Sequence, residues 1–262
     1  IGIIGPNADN PLSQNGDWSL GTGQIDFFGT HPRNCSITYV DGVKARFLHD
    51  ATLKGQEIKH DSYKYKGMKY QNKVNDDTKT VHYEMGCGIE PGETADLEAA
   101  LKVVEESDVT IVVIGDRLIY YGEMRPTATL ELMGGQLEML RRIVATGKEF
   151  ILVSMSYKPL VIPEDILEAA SAVIIQFSPG MLGGQACAEI LFGDYAPSGR
   201  FTITVPRHVG QIPVYYNKVR GGHQKDYADL SAKPRYAFGY GLGYSEIEYK
   251  SATLEQSSLS KS

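Results

Sequence analysis

The 262-residue chain carries 26 Lys and Arg against 32 Asp and Glu, a formal net charge of −6 at pH 7. With 42% hydrophobic and 22% charged residues, it has enough apolar material for a globular core and too little charge for a disordered chain. The acidic balance disfavours nucleic acid as a partner, because affinity for phosphate backbones comes from clustered Lys and Arg. The apolar runs are far shorter than the roughly 20 residues of a membrane-spanning helix, so we expect no membrane partner.

Four short apolar runs rich in β-branched residues predict strands, at residues 1–4, 109–114, 150–154 and 172–177. None of them alternates apolar with polar residues, which is typical of parallel strands buried on both faces by helices. The first run opens the chain with no Met, basic segment or apolar leader before it. We therefore expect a chain trimmed at a domain edge.

Helical spacing of apolar residues lies between and after these runs, at residues 94–107, 135–146, 163–170 and 182–192. The alternation of strand and helix predicts an α/β fold, a mostly parallel sheet flanked by helices on both faces. In such sheets ligands bind beyond the carboxyl ends of the strands. Functional residues are therefore expected in residues 5–19, 115–135, 154–159 and 178–184.

Three further segments depart from this alternation. Residues 52–79 mix lysines and tyrosines with acidic residues and predict a surface insertion. The chain after Gly193 is rich in Gly, Pro and Tyr, which predicts a long irregular segment with one strand at residues 201–205. We expect one domain over residues 1–250 and a frayed tail over residues 251–262.

Several chemistries have no supporting motif. The three Cys are far apart without a CxxC pair, and the six His show no i, i+4 pairing on a helix, so we expect neither disulfides nor a metal site. Phosphate-binding glycine loops and the Gly-x-Ser-x-Gly turn of serine hydrolases are missing from the sequence. Of the catalytic chemistries considered, acid/base or nucleophilic catalysis by carboxyl groups in the loops after the strands remains.

Glu123 is the first candidate for that chemistry. It lies midway along the long connection between the strand at residues 109–114 and the next helix, and loops of this length in a compact domain are usually functional. Tyr121 and Arg125 flank it, so burial could raise its pKa and a neighbouring cation could lower it. From these residues alone, an ordinary solvated glutamate is the favoured interpretation, and a catalytic role is the alternative.

A series of motifs nevertheless resembles the C-terminal α/β-sandwich domain of glycoside hydrolase family 3, the β-glucosidases and β-xylosidases. Nearly the whole chain is covered, and the closing motifs are the most specific. The motifs are IIGPNAD at 3–9, GDWS at 16–19, ESDVTIVVIG at 106–115, GDYAPSGRF at 193–201, VPR at 205–207, GQIP at 210–213 and YAFGYGLGY at 236–244.

The resemblance implies a retaining, exo-acting β-glycosidase without metal or organic cofactor. In that family the nucleophilic Asp lies on an N-terminal (β/α)8 barrel, which this chain does not contain, and a loop of the second domain supplies the acid/base Glu. Glu123 matches that glutamate, because Leu130, Leu132 and Gln136 follow it in the family's register. The implied partners are a β-linked glucoside or xyloside and the barrel, in cis or in trans.

Further candidates for substrate binding or the domain interface are Asp17, Trp18, Asp116, Tyr121 and Arg125. Asp17 precedes Trp18, as the family's nucleophile also precedes a Trp, but it follows the first strand of the wrong domain, so we expect a structural or interface role. Departures from the family include Gly115-Asp116 where Gly-Glu is common, and Thr127 where an Arg is frequent; Arg125 is a possible substitute.

Two other functions stay open at this point. The same surface could belong to a non-catalytic module that binds a carbohydrate or a partner protein, or to a flavodoxin-like nucleotide binder, which nucleotide would stabilise against heat. If the barrel is missing, we also expect an apolar patch at the strand ends, formed by Trp18, Tyr120, Tyr121 and Phe177.

Overall fold

A computed structural model describes residues 1–19, 36–48, 79–121, 123, 127–217, 226–254 and 258. Its strands are β1 (Gly2–Ile4), β2 (His82–Glu84), β3 (Thr110–Gly115), β4 (Phe150–Met155) and β5 (Ala172–Gln176). Its α-helices are α1 (Pro11–Asn15), α2 (Tyr39–Phe47), α3 (Leu97–Glu106), α4 (Gln136–Ala145), α5 (Glu164–Ala169) and α6 (Gly183–Leu191). Within these ranges, none of the helices has the length and apolarity needed to cross a membrane.

The five strands form one parallel sheet in the order β2-β1-β3-β4-β5. The chain runs from β1 outward to β2, returns to pair β3 with the other side of β1, and then continues outward through β4 to β5. The strand order therefore reverses between β1 and β3. In doubly wound sheets this switch point opens a crevice at the carboxyl ends of the two strands.

Alternate residues of β1, β3 and β4 enter two separate cores, because neighbouring side chains of a strand point to opposite faces. Ile4 and Ile114 pack on one face with apolar residues of α3, α4 and α5. Ile3 and Val113 pack on the other face with α2 and α6. The predicted α/β class, with helices on both faces of a parallel sheet, is confirmed.

Helices α2 and α6 approach each other through two glycines. A Cβ at Gly42 would lie 2.2 Å from the carbonyl oxygen of Gly184, and a Cβ at Gly184 would lie 1.9 Å from the carbonyl oxygen of Thr38. Thr38 caps α2 in a reciprocal pair with Asp41, which fixes where this helix begins. The side-chain-free surface at these positions lets α2 and α6 cover the sheet as one layer.

The predicted strands at residues 1–4, 109–114, 150–154 and 172–177 and the four predicted helices are all present, with small shifts at their ends. Among the strands and α-helices of the described residues, the sequence did not predict β2, α1 and α2. Strand β5 lies at the sheet edge and is only partly covered, with Ala172 exposed, so its expected burial on both faces is wrong.

The predicted strand at residues 201–205 is also wrong. Within this segment only Phe201 and Val205 form main-chain hydrogen bonds with residues 235–240, and its one isolated β-bridge joins Val205 to Tyr236. Residues 251–254 are exposed. Residues 51–78, which hold nearly all of the predicted surface insertion, lie outside the described ranges.

A cluster of ion pairs fastens the irregular C-terminal segment to α5. Arg235 Nη1 lies 2.5 Å from Glu164 Oε1, and Arg207 Nη1 lies 3.1 Å from both oxygens of the same carboxylate. Hydrogen bonds from Arg235 and Arg207 lower the pKa of Glu164 to about 2, against an ordinary value of 4.5. The folded state therefore favours the ionised form of this carboxyl group.

We expect this cluster to contribute stability above about pH 4.5 and to lose that contribution as the pH falls toward 2. The depressed pKa belongs to the folded state, so the unfolded chain takes up the proton first. Chemical denaturation between pH 6 and 2 measures the effect, which is smaller at high salt because Glu164 is exposed. Glu164→Gln should flatten the acid limb, whereas Glu168→Gln on the same helix should not; identical curves for both variants would contradict the assignment.

Candidate active site

The loops that follow β1, β3 and β4 meet at the carboxyl end of the sheet, and the side chain of Asn7 joins them. Its Nδ2 donates to the carbonyl oxygen of Asp116 at 3.1 Å and lies 3.5 Å from that of Met155. Asn7 is fully buried, so both contacts form away from solvent. The three strand ends are thereby held at fixed positions around the switch point.

Gly115 sets the direction in which the loop that carries Glu123 leaves β3. Its φ is +149°, and a Cβ on it would lie 1.7 Å from the carbonyl oxygen of Met155. The side-chain amide of Gln136 accepts from the N–H of Gly115 at 2.8 Å and donates to its carbonyl oxygen at 2.9 Å. Since Gln136 is fully buried at the start of α4, both ends of the connection between β3 and α4 are tied together.

The side chain of Asp116 is fully buried. Ser156 Oγ donates to its Oδ2 at 2.8 Å, and Lys158 Nζ is 3.6 Å from the same oxygen. Burial raises the pKa of Asp116, and the Lys158 charge and the Ser156 hydrogen bond offset this only in part. The carboxylate therefore acts by holding Ser156 and Lys158 in place, and direct contact with a ligand would require it to become exposed.

Lys158 links Asp116 to Thr127. Its Nζ donates to Thr127 Oγ1 at 2.5 Å, and 16% of its side chain is exposed. A cation from the segment after β4 thus contacts Thr127, the position at which the resemblance leads us to expect an Arg. Lys158 was not predicted as a site residue, although it lies within residues 154–159, where functional residues were expected.

Arg117 connects the loop to the segment after β2. Its Nη1 donates to Asn7 Oδ1 at 3.1 Å and its Nη2 to Glu93 Oε1 at 2.7 Å. Burial opposes the ionisation of Glu93, but main-chain N–H groups of residues 89 and 90 and the Arg117 charge outweigh it and lower the pKa of Glu93. This ion pair ties the start of the loop to the segment that follows β2.

Tyr121, in the loop between β3 and α4, stacks on Tyr157, with ring centroids 3.6 Å apart. Both hydroxyl groups donate to the carbonyl oxygen of Ser13, that of Tyr121 at 3.1 Å. Burial raises the pKa of both phenols, so they stay neutral hydrogen-bond donors. The pair fixes the loop to α1 and leaves each ring partly exposed.

Asp17 and Glu123 are brought together from positions 106 residues apart. Asp17 Oδ2 accepts the main-chain N–H of Glu123 at 2.7 Å, and the Glu123 side chain is exposed. Trp18, next to Asp17, is 67% exposed and has a φ of +58°, an uncommon conformation for a residue other than glycine. An exposed carboxyl group and an exposed indole therefore face solvent at the switch point.

The predicted site residues thus fall into three groups. Glu123, Asp17, Trp18 and Tyr121 lie together at the carboxyl ends of the strands, Asp116 is buried beneath them, and Arg125 lies outside the described residues. Of the expected apolar patch, Trp18 is exposed and the others are half-buried, these being Tyr120, Tyr121 and Phe177. In the described part of the chain, no group of three or more His, Cys, Asp or Glu side chains is placed to bind a metal ion.

The fold and this site define a doubly wound α/β domain that presents a carboxyl group at its switch point. The chain belongs to glycosyl hydrolase family 3: the family model described as "Glycosyl hydrolase family 3 C-terminal domain" matches residues 1–244. This finding agrees with the resemblance that the motifs predicted. It places the chain in the part of the family that lies C-terminal in its members.

Named relatives agree with this assignment. The chain is 29% identical to the periplasmic β-glucosidase of Salmonella typhimurium, covering 100% of this chain and 33% of that protein. It is 28% identical to a β-xylosidase of Formosa agariphila, covering 99% of this chain and 32% of that protein. The chain therefore spans about a third of the length of these curated relatives.

Solved structures show the same fold. A β-glucosidase involved in saponin metabolism from intestinal bacteria superposes with a TM-score of 0.74 at 32% identity, covering 94% of this chain and 34% of that chain. A β-glucosidase from Listeria innocua in complex with isofagomine superposes with a TM-score of 0.70 over 96% of this chain and 31% of that chain. At 24% identity, the Listeria structure supports the fold alone.

Proposed function

We propose that this chain is the C-terminal part of a retaining, exo-acting β-glycosidase, in which Glu123 is the general acid/base. The nucleophilic Asp is supplied by a (β/α)8 barrel outside this chain. Family membership and the length of the relatives support this division of the active site. The barrel is joined in the same polypeptide or binds as a separate chain.

The observation that best supports this proposal is the position of Glu123. Its side chain is exposed at the carboxyl ends of the strands, where doubly wound domains bind ligands, while Asp17 Oδ2 binds its main-chain N–H at 2.7 Å. A proton donor must reach a substrate held by another domain and must also return to the same position in each catalytic cycle. An exposed carboxyl group on an anchored main chain meets both requirements.

The reaction requires two carboxyl groups about 5 Å apart. Glu123 donates its proton to the glycosidic oxygen while the barrel carboxylate attacks the anomeric carbon, so the C–O bond breaks and a glycosyl-enzyme ester forms. Glu123, now ionised, takes a proton from water as the water oxygen attacks the same carbon and releases the barrel carboxylate. Neither step needs a metal or an organic cofactor.

The residues around Glu123 have supporting roles in this proposal. Trp18 offers an exposed apolar surface to the substrate or to the barrel, and Tyr121 fastens the loop to Ser13 of α1. Asp116 acts through Lys158, which binds Thr127. Arg125 stays a candidate for substrate binding or the domain interface.

The proposed substrates are β-linked glucosides or xylosides, because a β-glucosidase and a β-xylosidase are both among the relatives that cover this chain. In this proposal most of the pocket around the reacting sugar belongs to the barrel. The choice between the two sugars is therefore a property of the complete active site, which substrate comparison measures directly.

Hydrolysis of p-nitrophenyl β-glucoside and p-nitrophenyl β-xyloside tests the proposal. We expect the chain alone to be inactive and to become active with a family barrel, either mixed with it or fused ahead of Ile1. Activity of the chain alone would mean that both carboxyl groups lie within it and that the barrel assignment is wrong. An inactive but folded assembly would instead favour a non-catalytic carbohydrate- or partner-binding module.

A further inference from the structure

Helix α1 and the turn that follows it hold the Glu123 loop at three points. Ser13 Oγ accepts the main-chain N–H of Leu118 at 3.1 Å, and the carbonyl oxygen of Ser13 accepts the hydroxyl of Tyr121 at 3.1 Å. The third contact is the 2.7 Å hydrogen bond from the Glu123 N–H to Asp17 Oδ2. The last of these three acts on the main chain of Glu123 itself.

From this geometry we propose that Asp17 is a positioning residue for the acid/base: its carboxylate fixes the main chain of Glu123 and thereby the place from which the Glu123 carboxyl group transfers a proton. The inference rests on the proposed function of Glu123. Asp17 contacts neither substrate nor reacting atoms in this role. A hydrogen bond to an ionised acceptor is about twice as strong as a neutral one, which suits it to hold an exposed loop.

The turn that carries Asp17 is itself tightly constrained. Gly16 has a φ of +91°, and a Cβ on it would lie 3.0 Å from the hydroxyl of Tyr157, so the tyrosine packs closely against this position. Ser19 Oγ donates to the Gly16 carbonyl oxygen at 2.9 Å. Trp18 adopts a φ of +58°, a conformation that costs free energy and persists only where surrounding contacts impose it.

The exposure of Glu123 explains why such an anchor matters. A buried side chain is held in one rotamer by its neighbours, whereas an exposed one gains little from packing. Misplacement of a catalytic group by about 1 Å can lower a rate by about a hundredfold. The main-chain bond from Asp17 therefore limits how far the proton donor can move from its productive position.

Two substitutions of Asp17 separate positioning from general stability. Asn keeps an oxygen that can accept the Glu123 N–H, whereas Ala removes the acceptor. In the active assembly of chain and barrel, we expect Asp17→Ala to lower kcat/KM at least tenfold for an alkyl β-glucoside, whose leaving group needs protonation. For 2,4-dinitrophenyl β-glucoside, whose leaving group departs without a proton, the loss should stay below about threefold.

Asp17→Asn keeps a weaker, neutral acceptor, so kcat/KM should stay within about threefold of the wild type for both substrates. Asp108→Ala, which removes an exposed carboxylate at the amino end of β3, should also stay within about threefold. In a Glu123→Gln background, Asp17→Ala should cause little additional loss, because residues that act as a unit are not additive. Equal losses for both leaving groups, or a fully additive double variant, would overturn the positioning role.

The same series distinguishes the two proposals. If Glu123→Gln itself shows no dependence on the leaving group, the acid/base assignment fails. If Glu123→Gln shows that dependence and Asp17→Ala does not, only the positioning role fails. Each result is read from variants measured side by side.

Hydrogen exchange of the 262-residue chain provides an independent measurement without any barrel. Asp17→Ala should accelerate amide exchange about tenfold in peptides that contain Glu123 and leave peptides from β3 and β4 unchanged. Asp17→Asn should preserve most of the protection. Unchanged exchange around Glu123 in the alanine variant would show that Asp17 does not hold this loop.

Discussion

Glu123→Gln should lower kcat/KM for alkyl and p-nitrophenyl β-glucosides by about 10²- to 10⁴-fold in the assembly of this chain with a barrel, since general acid–base catalysis contributes a factor of that size. Gln has nearly the same shape as Glu but cannot donate or accept the catalytic proton. The fold and the contact to Asp17 should survive, because that contact uses the main-chain N–H of residue 123.

Three measurements check this result. The pH dependence of kcat/KM should lose the limb that reports the acid/base, and 2,4-dinitrophenyl β-glucoside should be far less affected than the alkyl glycoside. Added azide should restore turnover and yield a β-glycosyl azide, because it attacks the glycosyl-enzyme without needing a general base. Glu131→Gln, an exposed glutamate later in the same connection, is the matched control; activity of Glu123→Gln within threefold of this control would refute the assignment.

Gly115→Ala should lower the free energy of unfolding by roughly 4 kcal/mol or more, a loss that is exceptional for a single substitution. The new Cβ would lie 1.7 Å from the carbonyl oxygen of Met155 and 2.6 Å from its carbonyl carbon. These are main-chain atoms of the neighbouring strand β4, so they cannot move aside as a flexible side chain can. The φ of +149° adds strain of its own for any residue with a Cβ.

Two further glycines separate the contributions to this effect. Gly147 has a φ of +69° with nothing within 4 Å of an added Cβ, so Gly147→Ala should cost only about 1–2 kcal/mol from backbone strain. Gly199 has an equally open surrounding without the positive φ, so Gly199→Ala should be close to neutral. Denaturant midpoints rank the three variants, and a Gly115→Ala midpoint no lower than that of Gly147→Ala would contradict the close approach of β3 to β4.

The elements that the sequence predicted share one physical property. Strands β3 and β4 are continuous apolar runs in the middle of the sheet, and the apolar faces of α3 and α4 repeat at helical spacing, so burial is written into local composition. Strand β2 was missed because its three residues, His82–Glu84, are polar or aromatic and lie at the edge, paired only with β1. Helix α2 had one overlooked signal, the reciprocal cap between Thr38 and Asp41.

The error at residues 201–205 has the opposite cause. Residues 201–205 are rich in β-branched side chains, which favour a strand, but within this segment only Phe201 and Val205 have main-chain partners. A strand exists only where a neighbouring chain supplies a continuous ladder of hydrogen bonds. Local composition carries no information about whether such a neighbour is present.

For the candidate site too, the sequence predicted one part and the packing decided the rest. The rule that ligands bind beyond the carboxyl ends of parallel strands selected the segments that contain Ser13, Asp17, Glu123, Tyr157 and Lys158. It did not indicate that Tyr157 would stack on Tyr121, or that Asp116 would be buried behind the loop. These outcomes depend on side-chain packing between segments far apart in the chain.

The sequence by itself determined that this chain is an α/β domain of glycoside hydrolase family 3. Apolar periodicity and short glycine-rich motifs are local properties, so they can be recognised without a structure. Only the tertiary structure decided the strand order, the switch point between β1 and β3, and the meeting of Asp17 with the main chain of Glu123. The physical reason is distance along the chain. A hydrogen bond across 106 residues forms only after β1 and β3 pair and bring the loops at their carboxyl ends together.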